Sequence, residues 1–294
     1  MRLLHCASFI KDEGYLKPKW PRAINAYEDS VKTIFGPLFR AIDEATFRNK
    51  WFVKHMDVSE RPNMLYNMFG DNPVFETDFT SFESHHRGVY SRVIKYWMRH
   101  MASGLHLDRF HRSLLAVAVT GYNVTKFGCV TAHVPETLMS GAAWTSSSNG
   151  VLNLLIMSYL ATRNLFEDPL LQANHAFSNF NALIEGDDGI CQAFDFDEDL
   201  AGAMGLVLKS ETKPNYGLAS FCGINCEVGT SDVLYDPHKF MRNFFWLPAC
   251  FEKAKDSVCD GYLRAKAMSL LYAFPSCPVV APICFEICRR TRSI

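Results

Sequence analysis

The chain has 294 residues, 48% of them hydrophobic and 21% charged, with a formal net charge of −1. That is enough apolar material for a large core in one or two domains, and it excludes a disordered or fibrous protein. Charge is unevenly placed: residues 1–54 carry ten Lys/Arg against six Asp/Glu, while Glu185 to Asp199 is acidic. A basic front and an acidic centre suit an enzyme that handles nucleotides and binds metal, and they suit an ordinary mosaic surface equally well. Ten cysteines are scattered without a C-x-x-C pair, the closest spacings being Cys222-x3-Cys226 and Cys284-x3-Cys288. Reduced, mostly buried thiols are expected rather than zinc or disulfides. The apolar part of the N-terminus is too short for a signal peptide. Pro275, Pro278 and Pro282 break the apolar stretch Met268 to Ile287, so no transmembrane segment is expected.

In chain order, Lys17-Pro18-Lys19-Trp20-Pro21 reads as extended, because residues before proline avoid the helical region. Ala41 to Phe52 reads as helical, Asn72-Pro73 as a turn and Val74 to Phe79 as a strand. Val89, Val93, Ile94, Trp97 and Met101 follow at near-helical spacing. Cys129 to His133 is β-rich, and Thr145 to Thr162 is a helix after the loop at Ser140-Gly141. Leu183 to Gln192 is a hairpin turning at Gly186-Asp187-Asp188-Gly189, with a glycine at each end of the aspartates supporting a tight turn. Asp197 to Met204 starts a helix, Gly205 to Lys209 is a strand, Ala219 to Cys222 a short strand, and Leu263 to Tyr272 is helical. Strands and helices interleave without strict alternation, so the fold class is α+β.

Two adjacent carboxylates on a turn resist joint ionisation unless a cation neutralises them. Mg²⁺ takes hard oxygen ligands, often one or two carboxylates plus substrate phosphates. Alone, Asp187 and Asp188 would pass for a solvated turn. Asp78, on a strand-like segment with Glu83 five residues on, would bring a third carboxylate to such a turn. Two metals about 4 Å apart can clamp the attacking and leaving oxygens of an in-line displacement.

These segments, in this order, resemble the palm motifs of positive-strand RNA virus RNA-dependent RNA polymerases. Asp78-Phe79-Thr80-Ser81-Phe82-Glu83 resembles the first motif, Asp-x4-Asp. Ser140 to Asn149 fits the second, Ser-Gly-x3-Thr-x3-Asn, at every defined position. Gly186-Asp187-Asp188 resembles the third and Gly205 to Lys209, continuing to Lys213, the fourth. Ser220-Phe221-Cys222-Gly223 is similar to the primer-grip turn. Upstream, Phe9 to Glu13 and Lys17 to Ile24 look like the basic fingers motif. The resemblance spans residues 9 to about 228. It departs from the pattern at Glu83, where the family usually has Asp. The first motif is picornavirus-like, whereas the basic segment and Ser269-Leu270-Leu271-Tyr272 are tombusvirus-like.

The resemblance implies a partial right hand: an antiparallel-sheet, RRM-like palm packed on helices, helical fingers and the start of a helical thumb. The implied limits are fingers over 1–75, palm over 76–228 with a fingers insertion about 100–132, and the start of the thumb over 229–294. Asp78, Asp187 and Asp188 would hold two Mg²⁺ or Mn²⁺ ions. Glu83, Ser140, Gly141, Thr145 and Asn149 would recognise the nucleotide and its ribose, since the 2′-hydroxyl separates RNA from DNA. Gly141 would allow a mobile backbone, and capping of the helix is the simpler role for Ser140 and Thr145. Lys11, Lys19 and Arg22 would face the triphosphate, with Lys17 a substitute for Lys19. Lys213, or alternatively Lys209, would protonate the leaving pyrophosphate. Phe221, Cys222 and Gly223 would form the primer grip.

Trp20, Phe82, Trp97 and Trp144 read as framework packing before base-stacking platforms, and His85-His86 as a helix surface before a zinc site. The implied partners are RNA template, nascent RNA, NTPs and other replicase proteins. The implied location is membrane-associated replication sites in the host cytoplasm. The basic motif begins close to Met1 and only a short segment follows the palm motifs, so the sequence reads as a fragment. The alternatives are a fragment that only binds RNA or a replicase partner, a reverse transcriptase-like polymerase and a metal-dependent hydrolase. Glu185 stands where reverse transcriptases commonly carry an aromatic residue. A hydrolase leaves Ser140 to Asn149 unexplained.

Overall fold

The computed structural model describes residues 5–11, 18, 20–120 and 123–291, without the side chains of 118–120. Lys17 and Lys19 therefore lie outside the described residues. In chain order the elements are β1 (His5–Ile10), β2 (Ala23–Tyr27), α1 (Asp29–Thr46), α2 (Arg61–Phe69), β3 (Val74–Phe79), α3 (Gly88–Ala102), α4 (Arg109–Thr120), β4 (Asn123–Phe127) and β5 (Val130–Val134). There follow α5 (Thr145–Thr162), α6 (Pro169–Asn179), β6 (Ala182–Glu185), β7 (Asp188–Gln192), α7 (Glu198–Ala203) and β8 (Leu208–Lys213). The last are β9 (Ile224–Cys226), β10 (Val233–Tyr235), α8 (Pro237–Asn243), α9 (Asp256–Ala273) and α10 (Val280–Arg290). The fold is α+β, with mixed helices and antiparallel pairings.

The chain divides into two compact units. The first comprises residues 1–11, 21–54 and 75–211, the second 12–20, 55–74 and 212–294. In the first, one sheet has the order β2-β1-β4-β5, with β1 antiparallel to β2 and parallel to β4. The other sheet has the order β6-β7-β3-β8. The core of this unit includes Phe35, Phe39, Phe75, Phe82, Trp144, Leu152, Ile156 and Ile184, all buried. Trp144 lies in an aromatic stack, 4.2 Å from Phe39 and 5.5 Å from Tyr27 between ring centroids. It is framework, as is buried Phe82, whereas Trp20 is 92% exposed. Helix α5 is apolar on nearly every side and buried along most of its length, as expected of a central helix.

In the second unit β9 pairs antiparallel with β10, and α9 packs on α10. Lys266 of α9 donates to the carbonyls of Asn243, Phe244 and Trp246, at the end of α8 and in the segment just after it. All ten cysteines are free thiols. No helix among the described residues is long and apolar enough to cross a membrane.

Two strand expectations shift. Gly205 to Lys209 is not the strand: Gly205 turns with φ 74°, and β8 begins at Leu208. Ala219 to Cys222 is not a strand either. Its backbone follows a 3-10 turn at Tyr216–Leu218 and reverses at Cys222-Gly223, so only Phe221 pairs, in a single bridge to Ile224, where β9 begins.

Candidate active site

Asp78 is exposed on β3 between buried Thr77 and Phe79. The neighbouring strand is β7, the second arm of the β6–β7 hairpin. Glu185 pairs with Asp188, so the loop is the two residues Gly186 and Asp187. Gly186 has φ 67° and Asp187 does not have a positive φ, as in a turn that takes glycine at its first central position. Gly189 has a different task. A Cβ there would come within 2.9 Å of Ile184 Cδ1 and Thr77 Oγ1, and 3.0 Å of Asn153 Nδ2. The second glycine of the motif thus serves close packing between strand and helix, not the turn.

Thr77 Oγ1 donates to Gly189 O (3.2 Å), and Cys191 Sγ donates to Phe75 O (3.8 Å). These contacts step in opposite directions along β3 and β7, as in antiparallel neighbours, and put Asp78 level with Asp188. Side-chain alternation turns both aspartates away from the face on which Thr77 meets α5. Asp78, Asp187 and Asp188 are all exposed. Among the described residues no group of three or more His, Cys, Asp or Glu side chains stands ready to hold a metal ion.

The turn is held from behind. Asn153, fully buried on α5, donates from Nδ2 to Asp187 O (2.9 Å) and Gly186 O (3.4 Å). Its Oδ1 is buried without a hydrogen-bond partner. The sequence reading did not single out Asn153. The signal for it was its place four residues after Asn149, on the same face of α5 and within its apolar stretch Val151 to Met157.

Asn149 is buried and faces the turn that follows β3. Its Oδ1 lies 2.8 Å from His86 Nε2. Ser81 (φ 52°) starts a 3-10 turn over Phe82–His85, which carries His85 and His86 inward. The two histidines are not a helix surface: they are 8% and 4% exposed. His85 Nε2 accepts from Val207 N–H (3.1 Å), which leaves the proton on Nδ1, 3.3 Å from Phe82 O. Thr80 N–H donates to Val207 O (2.9 Å), so both polar atoms of the Val207 residue are held by this segment. Burial pushes the His86 pKa down to about 4; the bond to Asn149 opposes this and the His85 ring adds to it.

Ser140 and Gly141 meet β2. Ser140 Oγ accepts from Asn25 N–H (3.2 Å), and Gly141 N–H donates to Asn25 O (3.0 Å). A Cβ at Gly141 would lie 2.7 Å from Ala26 Cα and Asn25 O. Gly141 is therefore required by close approach of two backbones, not by mobility. Thr145 Oγ1 donates to Met139 O (2.8 Å) and Ala142 O (2.9 Å), and Trp144 is the helix N-cap, so neither Ser140 nor Thr145 caps α5. The same strand pair leads to the basic residues. Beyond the last β1–β2 pair, Lys11 N–H donates to Arg22 O (2.8 Å), which brings these two cationic residues together.

Lys209 lies in β8 within the first unit. Lys213 ends that strand and belongs to the second unit, as do Phe221, Cys222 and Gly223. Phe221 and Ile224 exchange two backbone hydrogen bonds of 3.1 Å around Cys222 (φ 54°) and Gly223 (φ 73°). Two consecutive left-handed residues make this a type I′ turn.

No protein-family model matches the chain, and no curated protein is significantly similar to it.

Proposed function

We propose that the chain is the catalytic part of a viral RNA-dependent RNA polymerase, transferring nucleotidyl groups from NTPs to an RNA 3′-hydroxyl with release of pyrophosphate. The observation that carries this reading is the level placement of Asp78 beside the Gly186-Asp187-Asp188 turn on neighbouring strands, with Asn153 of α5 holding that turn from behind. Mg²⁺ commonly takes one or two carboxylates and completes its shell with substrate phosphates, so Asp78 and Asp187 suffice as the protein's share, with Asp188 as an outer ligand. Two such ions, Mg²⁺ or Mn²⁺, would supply charge stabilisation to the attacking and leaving oxygens.

The remaining roles belong to the chain itself. Asn149, bonded to His86, would read a ribose hydroxyl, with Glu83 as a further acceptor. Lys11 and Arg22 would bind the triphosphate, together with Lys19. Lys213 or Lys209 would donate the proton to pyrophosphate. Phe221, Cys222 and Gly223 would steady the primer end. In this reading the β6-β7-β3-β8 sheet and α5 are the palm of a partial right hand, residues 1–75 belong to fingers and residues 229–294 begin a thumb.

The test is template-directed primer extension with NTPs and Mg²⁺ or Mn²⁺. Extension by the wild type, with a loss of at least about 100-fold in Asp187→Ala, is the expected result. Equal extension by both proteins, or none by the wild type, overturns the proposal. Supplying dNTPs in parallel separates an RNA polymerase from a reverse transcriptase.

A further inference from the structure

Helices α3 and α4 carry five Lys/Arg residues, three in α3 and two in α4, and no Asp or Glu. This stands out in a chain whose net charge is −1. Between the two helices lies a cavity of about 560 Å³. Lys95 and Arg99 line it from α3 and Arg112 from α4, over apolar Met98, Leu107 and Leu115. No carboxylate lines the cavity among the described residues. The nearest acid in sequence, Asp108, is engaged by His111 through its N–H and Nδ1, both at 2.8 Å.

Lys95 and Arg99 are four residues apart, so they share a helix face, where like charges repel. Arg112 adds a third cation across the cleft, and its Nε donates to the Asp108 carbonyl at 3.4 Å. An anion between the helices would relieve that repulsion. Buried Met98 and Leu115 form the floor beneath the cations, a surface that a flat base can cover. Arginine forks grip phosphate oxygens in pairs. A bilayer surface fits less well, because an interfacial helix presents its apolar side outward, below the charged ring. Here the apolar side chains are recessed.

We propose that the α3–α4 cleft is a second, non-catalytic site for single-stranded RNA, with backbone phosphates on Lys95, Arg99 and Arg112 and a base over the apolar floor. The site does not depend on the proposed catalysis. Its test therefore uses the full chain carrying Asp187→Ala, in EDTA, with a labelled single-stranded 12-nucleotide RNA followed by fluorescence anisotropy over a salt series. Combining Lys95→Gln, Arg99→Gln and Arg112→Gln is expected to raise Kd at least about tenfold. It should also reduce the slope of log K against log salt by about 2, given roughly 0.7 per phosphate contact on a single strand. The charge-keeping variant Lys95→Arg should bind within about threefold of the parent, and an unchanged circular dichroism spectrum and melting temperature in the Gln set separate loss of the site from loss of folding. Unchanged RNA affinity in the Gln set overturns the proposal. So does a Gln set that keeps RNA affinity but no longer floats with phosphatidylserine vesicles, an outcome that would assign the cleft to a membrane surface.

Discussion

His86 Nε2 lies 2.8 Å from Asn149 Oδ1, joining the turn after β3 to the helix behind the acidic hairpin. With the amide oxygen as acceptor, the imidazole is the donor and carries its proton on Nε2. The Asn149 amide is thereby oriented, and in the proposed reaction that orientation sets how a ribose 2′-hydroxyl is read. His86→Ala removes the bond and is expected to cut the preference for NTPs over dNTPs about tenfold, the equivalent of one hydrogen bond of about 1.4 kcal/mol. His86→Gln, which keeps a donor, should restore part of it. The ratio of kcat/KM for the two nucleotide classes is the measurement; an unchanged ratio would remove Asn149 from sugar recognition.

Folding should depend on pH through the same ring. In the unfolded chain His86 takes up its proton near pH 6.5, whereas in the fold its pKa is about 4. Between those values the unfolded state binds the extra proton. Stability from this group is therefore complete above about pH 6.5 and declines as pH falls toward 4, at no more than about 1.4 kcal/mol per pH unit. His85, the other titratable ring beside it, adds to the depression and does not reverse the sign. Denaturant titrations from pH 7.5 to 4.5 should show a shallower acid decline in His86→Gln than in the wild type. Parallel curves would mean that His86 does not carry the effect.

Asn153 offers a cleaner probe of the acidic turn, because it touches the backbone of Asp187 and not its carboxylate. Asn153→Ala leaves two carbonyls without their donor and is expected to destabilise the protein by about 1–2 kcal/mol. In the proposed polymerase the turn would also lose its set position, so extension should fall at least about tenfold under conditions where circular dichroism shows a folded protein. Wild-type extension rates in a destabilised Asn153→Ala would limit Asn153 to a structural role.

Local patterns in the sequence mark β3, α5 and the β6–β7 hairpin to within a residue or so at each end. Each has a strong period and a sharp stop, such as Asn72-Pro73 before β3 and Ser140-Gly141 before α5. Long-range pairing left weaker traces. Nothing local says that Asn149 bonds to His86, 63 positions away. The left-handed Ser81 decides it, and a serine carries no signal for positive φ. The role of Gly189 was obscured by its position at the end of an acidic turn, where a turn glycine is the ready explanation. In the Ser140–Asn149 segment the residue types were legible, but their spatial partners in β2 were not.

Gly141 gives the sharpest steric test of how that segment is held. Its Cα sits against β2 so closely that an added methyl would meet Ala26 Cα and Asn25 O at 2.7 Å, and both are backbone atoms with no rotamer to yield. Gly141→Ala must therefore part the Ser140 loop from β2, loosening the Asn25 N–H bond to Ser140 Oγ and the Gly141 N–H bond to Asn25 O. A cost of about 1–3 kcal/mol is expected, as for other overpacked sites. Gly104 is the control: a Cβ there meets nothing within 4 Å, so Gly104→Ala should change stability by less than about 0.5 kcal/mol. Because β2 continues from Arg22, the Gly141 variant should also weaken triphosphate binding, read as a higher KM for NTPs than Gly104→Ala shows. Equal melting temperatures for the two variants would mean that the loop and β2 are not in contact as described.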